Sequence, residues 1–213
     1  MNRQQGFSLI ELAIVLVIAG LLLAGVMRGQ ELIANAKVKS LASDFRNIPT
    51  YFYAYQDRFR ALPGDYHAAV AHLGNANIAS TAGQQQNGLI QGAWNSESAS
   101  DESFLLWQHL RAAGLASGTT DINSGQYAPR NSEGGRLGVT SVGALSAVSS
   151  GTFNSAHVLC SDGIIGRYAT QLDTMLDDGA GNGGAMRIVL SSTPGTGVAT
   201  PDPATPYLVC MSF

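Results

Sequence analysis

Apolar residues crowd the stretch from Phe7 to Met27, then thin into a narrow stripe that continues to about Arg60. The first stretch is 21 residues long and carries one charge, Glu11, before Arg28 closes it. At 1.5 Å per residue, a helix of that length spans roughly 31 Å, the thickness of a bilayer's hydrocarbon core. In the second stretch Val38, Leu41, Phe45, Ile48, Phe52, Tyr55 and Phe59 recur at alternating spacings of 3 and 4. That spacing places them on one face of a helix, with Lys37, Lys39, Asp44, Arg46 and Asp57 between them. The two patterns predict one helix from Phe7 to Arg60, apolar all round in its first half and amphipathic in its second. Pro49 removes one backbone hydrogen bond and is expected to bend it. Gly20, Gly25 and Gly29 are expected to loosen the upper part of the apolar half. The turn signal Leu62-Pro63-Gly64-Asp65 ends the helix.

Beyond the helix the pattern changes period. Residues 66–100 are polar, with GQQQNG and NSESAS tracts, and read as a long surface connection. Ser100 as N-cap, acids at Asp101 and Glu102, and a stop at Gly114 predict a short helix. Phe104, Leu105, Trp107 and Leu110 form its apolar side, with Trp107 in the core. Strands are predicted at Arg136–Val142, Ala156–Cys160, Met186–Ser191 and Tyr207–Phe213, separated by Gly, Ser, Pro or Asp clusters. A short helix is predicted between strands at Tyr168–Leu176. The reading is an α+β protein: one long N-terminal α-helix whose amphipathic half packs on a C-terminal antiparallel β-sheet.

Charge and chemistry narrow the function. Charged residues are 13% of the chain and the net charge is -3, with no Lys/Arg patch to track phosphates, so no direct nucleic-acid partner is expected. From Arg28 to Arg60 six bases face three acids; beyond Arg60 five bases face eleven. That asymmetry offers a means of steering one copy onto another, and a solvated surface accounts for it equally. No GxSxG, HExxH or P-loop pattern is present. The histidines at 67, 72, 109 and 157 lack ligand spacing, so the chain is not expected to be an enzyme. The apolar run is too long for a secretory signal core, and no small-x-small cleavage site stands between it and Arg28. Cys160 and Cys210 are the two cysteines. If the membrane run directs the rest of the chain out of the cytoplasm, they meet an oxidising space and pair; two buried thiols are the alternative. A simple membrane anchor explains the run but leaves Glu11 unexplained, because a carboxylate in lipid costs about 2.5–3.5 kcal/mol near a helix centre.

A short polar leader ending in Gly6, followed by Phe7-Ser8-Leu9-Ile10-Glu11-Leu12 and a long apolar helix, resembles the processing site of type IV pilins and type II secretion pseudopilins. The resemblance covers residues 1–60 well and the remainder in general plan, a strand-rich domain closed by a late disulfide. It implies a type IV pilin-like fold divided into a leader at 1–6, a transmembrane and filament-core helix at 7–27, its amphipathic continuation at 28–60, and a soluble head at 61–213. It also implies cleavage by a prepilin peptidase between Gly6 and Phe7, and N-methylation of Phe7. The precursor would then sit in the inner membrane with its head in the periplasm. Assembly into an extracellular helical filament with copies of itself and other pilins would use an inner-membrane platform and a cytoplasmic ATPase. Glu11 would meet the amine of a neighbour's Phe7 and set axial register, as a paired buried carboxylate can. Many pilins carry a proline near the top of the apolar segment; Arg28 stands thereabouts here, with Pro49 further on. Asp173, Asp177, Asp178 and Asn182 form an oxygen-rich, Gly-rich cluster of the kind calcium accepts, and some pseudopilins hold calcium in a late loop. Plain turn chemistry explains the same residues, and no other cofactor is expected. The rivals are a pseudopilin or minor pilin of a secretion or DNA-uptake machine, and a monomeric membrane-anchored periplasmic binding domain.

Overall fold

The computed structural model describes residues 9–74, 86–146, 148, 153–191, 195 and 197–213. Its first element is a single α-helix, α1 (Leu9–Phe59), continuous through Pro49. The chain divides into two compact units, Met1–Lys37 and Val38–Phe213. Within the second unit α1 buries Val38, Leu41, Ala42, Phe45, Ile48, Phe52 and Tyr55. This is the expected stripe with Ala42 added, and it fades at its end, where Phe59 is only half-buried.

Four strands are present among the described residues: β1 (Leu137–Ser141), β2 (His157–Ile165), β3 (Met186–Leu190) and β4 (Pro206–Ser212). All pairings are antiparallel and the order is β1-β2-β4-β3, so the strand latest in the chain lies inside the sheet. The α+β layout, with one long N-terminal helix and a C-terminal antiparallel sheet, is like that of type IV pilins. The strand β2 is longer than Ala156–Cys160. Ser161-Asp162-Gly163 reads as a turn, but Gly163 takes a φ of 72° and the register shifts there, so the chain bulges and pairing resumes at Ile164.

Both faces of the sheet are covered, as period-2 alternation along β2 shows. His157 points toward α1, its ring 4.7 Å from that of Phe52, and Phe213 lies 5.4 Å from the same ring. Val158 and Cys160 point the other way, into a cluster with Trp94, Leu145, Val148, Phe153, Val189, Leu208 and Cys210. Trp94 comes from the segment expected to be a surface connection. That expectation holds only in part: Ile90 and Trp94 are buried, and a short helix α2 (Ala69–Leu73) precedes them. The segment docks because Ile90 N–H donates to Ser141 Oγ at 2.7 Å and Ser141 N–H donates to the Ile90 carbonyl at 3.0 Å. A Cβ on Gly138 would collide with the Trp94 carbonyl, so the close approach of this segment to β1 requires glycine.

The helix α3 (Glu102–Ala112) is the expected short helix, with Trp107 buried. Its N-cap is Asp101 in place of Ser100, and the Asp101 carboxylate accepts from Ser96 Oγ at 2.6 Å instead of capping the helix. A last helix, α4 (Gly166–Leu176), connects β2 to the turn before β3.

Candidate functional site

Gly6 and Phe7 lie outside the described residues. Glu11 stands in the first described turn of α1. The helix around it is uncovered: Leu9 is 88% exposed, Leu16 72% and Met27 72%. Among the described residues, glycines 20, 25 and 29 have no heavy atom within 4 Å of where a Cβ would stand, beyond the helix itself. The helix is long and apolar enough to cross a membrane. A helix surface this apolar suits lipid or other helices around it. Small residues on such a helix permit close approach between helices. Just above it Arg28 and Glu31 form an exposed pair at 3.4 Å.

Cys160 and Cys210 are directly opposed on β2 and β4, with Cα atoms 4.0 Å apart and an Sγ–Sγ bond of 2.07 Å. Both are fully buried on the face of the sheet that also holds Trp94 and Phe153. The bond joins the two inner strands and closes a loop of sequence separation 50.

The acidic cluster forms where α4 ends. Asp173 is in its last turn and fully buried; Asp177 is its C-cap, and Asp178 comes next. One carboxylate oxygen from each lies within 4.8 Å of the others. Asp177 Oδ2 accepts from Met186 N–H at 2.8 Å and Asp178 Oδ1 from Ala180 N–H at 2.8 Å, which fixes the turn into β3. Neither oxygen of Asp173 has a hydrogen-bond donor among the described residues. Burial, reinforced by Asp177 and Asp178, pushes the Asp173 carboxyl up to about 6 against the opposing pull of Arg187. The Arg187 guanidinium is directed to the carbonyls of Gly183, Gly184 and Met186. Three carboxylates with a buried, donor-less member among them are a donor set that suits calcium, which takes oxygen ligands only. Asn182 is exposed on the same turn, its Cα close to Gly197.

A second acidic contact has no counterpart in the sequence reading. Asp65, in the turn that ends α1, and Glu102, at the start of α3, are both buried and within hydrogen-bonding reach of each other. They are 37 residues apart, and each alone reads as ordinary turn or helix-start chemistry. Only the hydrophobic residue pattern beside Glu102, with Phe104 and Leu105 just after it, hinted that this turn lies inward.

Residues 1–27 match the prokaryotic N-terminal methylation motif. This is the prepilin-type cleavage and methylation motif of type IV pilins and pseudopilins, and it supports one or the other for this chain. It implies processing by a prepilin peptidase and assembly into pilin filaments. Together with the apolar half of α1 it fits a precursor anchored in the inner membrane. Proteins built on the motif are structural. No curated protein and no solved structure matches the chain.

Proposed function

We propose that this chain is a structural subunit of a type IV pilus-like filament, stored in the inner membrane as a prepilin with its head in the periplasm. The peptidase cuts between Gly6 and Phe7, Phe7 is N-methylated, and the new amine meets Glu11 of an adjacent copy as the apolar helices leave lipid for the filament core. The single observation that carries this reading is the exposed apolar half of α1 with an acid in its first described turn, inside the matched motif. Lipid and filament core are equally apolar, so transfer between them supplies little free energy. Helix packing and the Glu11 pair therefore set register and specificity. The leader is residues 1–6, the transmembrane and filament-core helix 7–27, its amphipathic continuation 28–60 and the head 61–213. The chain itself catalyses nothing. Platform and ATPase act from the membrane and the cytoplasm.

Intact-mass analysis of appendages sheared from the cell surface tests this reading. A dominant species beginning at methylated Phe7 is expected. Processed chain confined to membranes would transfer the assignment to a pseudopilin or minor pilin, and an unprocessed chain beginning at Met1 would leave a plain anchored domain. In the same reading a calcium ion sits among Asp173, Asp177 and Asp178, supported by the donor-less buried Asp173. Bound there, calcium would neutralise the three carboxylates and brace the turn from α4 into β3.

A further inference from the structure

A groove of about 200 Å³ opens within the unit Val38–Phe213, where α1, α3 and the segment before β1 come together. Asp44, Ile48 and Tyr51 of α1 line it, and Trp107 of α3, Pro129 and Leu137 complete it. The Asp44 carboxylate is half-buried here and meets neither a hydrogen-bond donor nor a cation among the described residues. Two arginines also line the groove, and both are engaged elsewhere. Arg111 donates through Nε to the Ser117 carbonyl at 3.1 Å, and through a terminal nitrogen to those of Thr119 and Tyr127 at 3.0 and 2.7 Å. Arg130 donates to the Gly134 carbonyl at 2.8 Å. Burial pushes the Asp44 carboxyl up to about 6, with no charge of the chain opposing it. A carboxylate drawn partly out of water without a partner is destabilised, and a cation brought to it removes that cost.

We propose that the Asp44 groove receives Arg46 of a second copy of this chain, so that copies join head-to-tail. Each residue turns an α-helix by about 100°, so Asp44 and Arg46, two positions apart, stand on opposite sides of α1. Arg46 is exposed, and its guanidinium has no partner among the described residues; Lys39, two turns earlier on the same side, is exposed as well. Arginine suits the groove better than lysine. Its planar guanidinium takes both oxygens of a carboxylate and lies against aromatic side chains, here Tyr51 and Trp107.

The groove and the arginine are different surfaces of one molecule, so the contact is heterologous. Repeated from copy to copy without closing a ring, such a contact builds an open helical array. That is the geometry a filament needs, and to this extent the inference rests on the filament reading above. Apolar helix surfaces allow many alignments, whereas a charge pair seated in a groove allows one and repels like charge. The Asp44–Arg46 contact therefore fixes how the sheet-bearing units of neighbouring copies are placed.

The test is cross-linking in the producing cell. Full-length Asp44→Cys and Arg46→Cys chains are expressed beside the unmodified chain, singly and together, and treated with a short bismaleimide. Cys160 and Cys210 are bonded to each other and do not react. A cross-linked dimer is expected in sheared appendages when both variants are present, and from neither alone. Appendages without that dimer overturn the contact and leave the filament reading standing. A dimer confined to membranes upholds the contact and removes the filament reading, and a dimer in neither fraction overturns the contact. In a second arm, Asp44→Arg or Arg46→Asp is expected to lower the yield of appendages by about tenfold or more, and the two together to restore it. Residues two apart on a helix do not face each other, so restoration arises between chains. Single reversals that assemble normally, or a double variant that stays defective, overturn the proposal.

Discussion

Phe52 ties the amphipathic half of α1 to the sheet, and replacing it with Ala tests that attachment. Its ring is fully buried, 4.7 Å from the His157 ring and 5.4 Å from that of Phe213 in an edge-to-face arrangement. Phe→Ala substitutions at such sites cost about 3–5 kcal/mol, from lost transfer free energy and the cavity left behind. Each aromatic partner contributes about 0.5–1.5 kcal/mol beyond area. The upper part of the range, about 4–5 kcal/mol, is therefore expected. That is a large fraction of the roughly 5–15 kcal/mol of a typical domain. The neighbouring Tyr53 is 48% exposed and touches the same Phe213 ring at 5.9 Å, so Tyr53→Ala is expected to cost under about 1 kcal/mol. Urea unfolding of the detergent-solubilised chain, followed by fluorescence of Trp94 and Trp107, reads both, since these tryptophans are buried in the same unit. A Phe52→Ala cost below about 1 kcal/mol, or equal costs for the two variants, would show that this face of the helix is not what holds the sheet.

Paired replacement of Cys160 and Cys210 by Ser should lower stability by about 4 kcal/mol, read in the same unfolding experiment, because the bond closes a loop of sequence separation 50; equal midpoints with and without reductant in the unmodified chain would contradict it. Glu11→Ala should insert into membranes normally and fail to form filaments under electron microscopy, and normal filaments would refute the register role. Titration with calcium should release heat in calorimetry, and Asp173→Asn should abolish it while leaving the far-ultraviolet spectrum unchanged. For Glu102, burial first and then the nearby acids raise the carboxyl from 4.5 to about 7. The folded chain then holds a proton that the unfolded chain releases, so stability falls as pH rises from about 4.5 to 7, by up to about 1.4 kcal/mol per pH unit. Glu102→Gln should flatten that slope, measured as the difference in unfolding free energy between the two proteins at each pH.

The helix and its two-part character were readable because each depends on local pattern alone. Apolar residues at spacings of 3 and 4 bury one face wherever the partner comes from, so Val38 through Tyr55 needed no knowledge of the sheet. The strands were readable from the Gly, Ser, Pro and Asp clusters that separate them. The features that escaped were set by tertiary context. Ser161-Asp162-Gly163 has turn composition, and only pairing on both sides keeps it in β2 as a bulge. Ile90 and Trp94 sit in a polar stretch, and they are buried because β1 and the far face of the sheet receive them. Asp101, not Ser100, stands at the N-cap, and its carboxylate meets Ser96 instead of the helix start. The Asp65–Glu102 contact joins two positions whose meeting depends on where α3 packs, and no spacing rule encodes that. By contrast, Asp173, Asp177 and Asp178 are close in sequence at a helix end, so their convergence was visible in advance.

The strand order has a consequence for how the head can form. Because β4 lies between β2 and β3, no sheet larger than the β1–β2 pair can exist until residues 206–212 have emerged. A chain delivered from its N-terminus must therefore leave β3 without a neighbour, and Cys160 without its partner, while α1 has long since been available to the membrane. Sheet closure depends on contacts distant in sequence, which form slowly. In the proposed reading anchoring thus precedes maturation, and the covalent bond between β2 and β4 forms only once the last strand is in place. A chain truncated before Tyr207 would keep every feature needed for insertion and would lack the strand that makes the head a folded body.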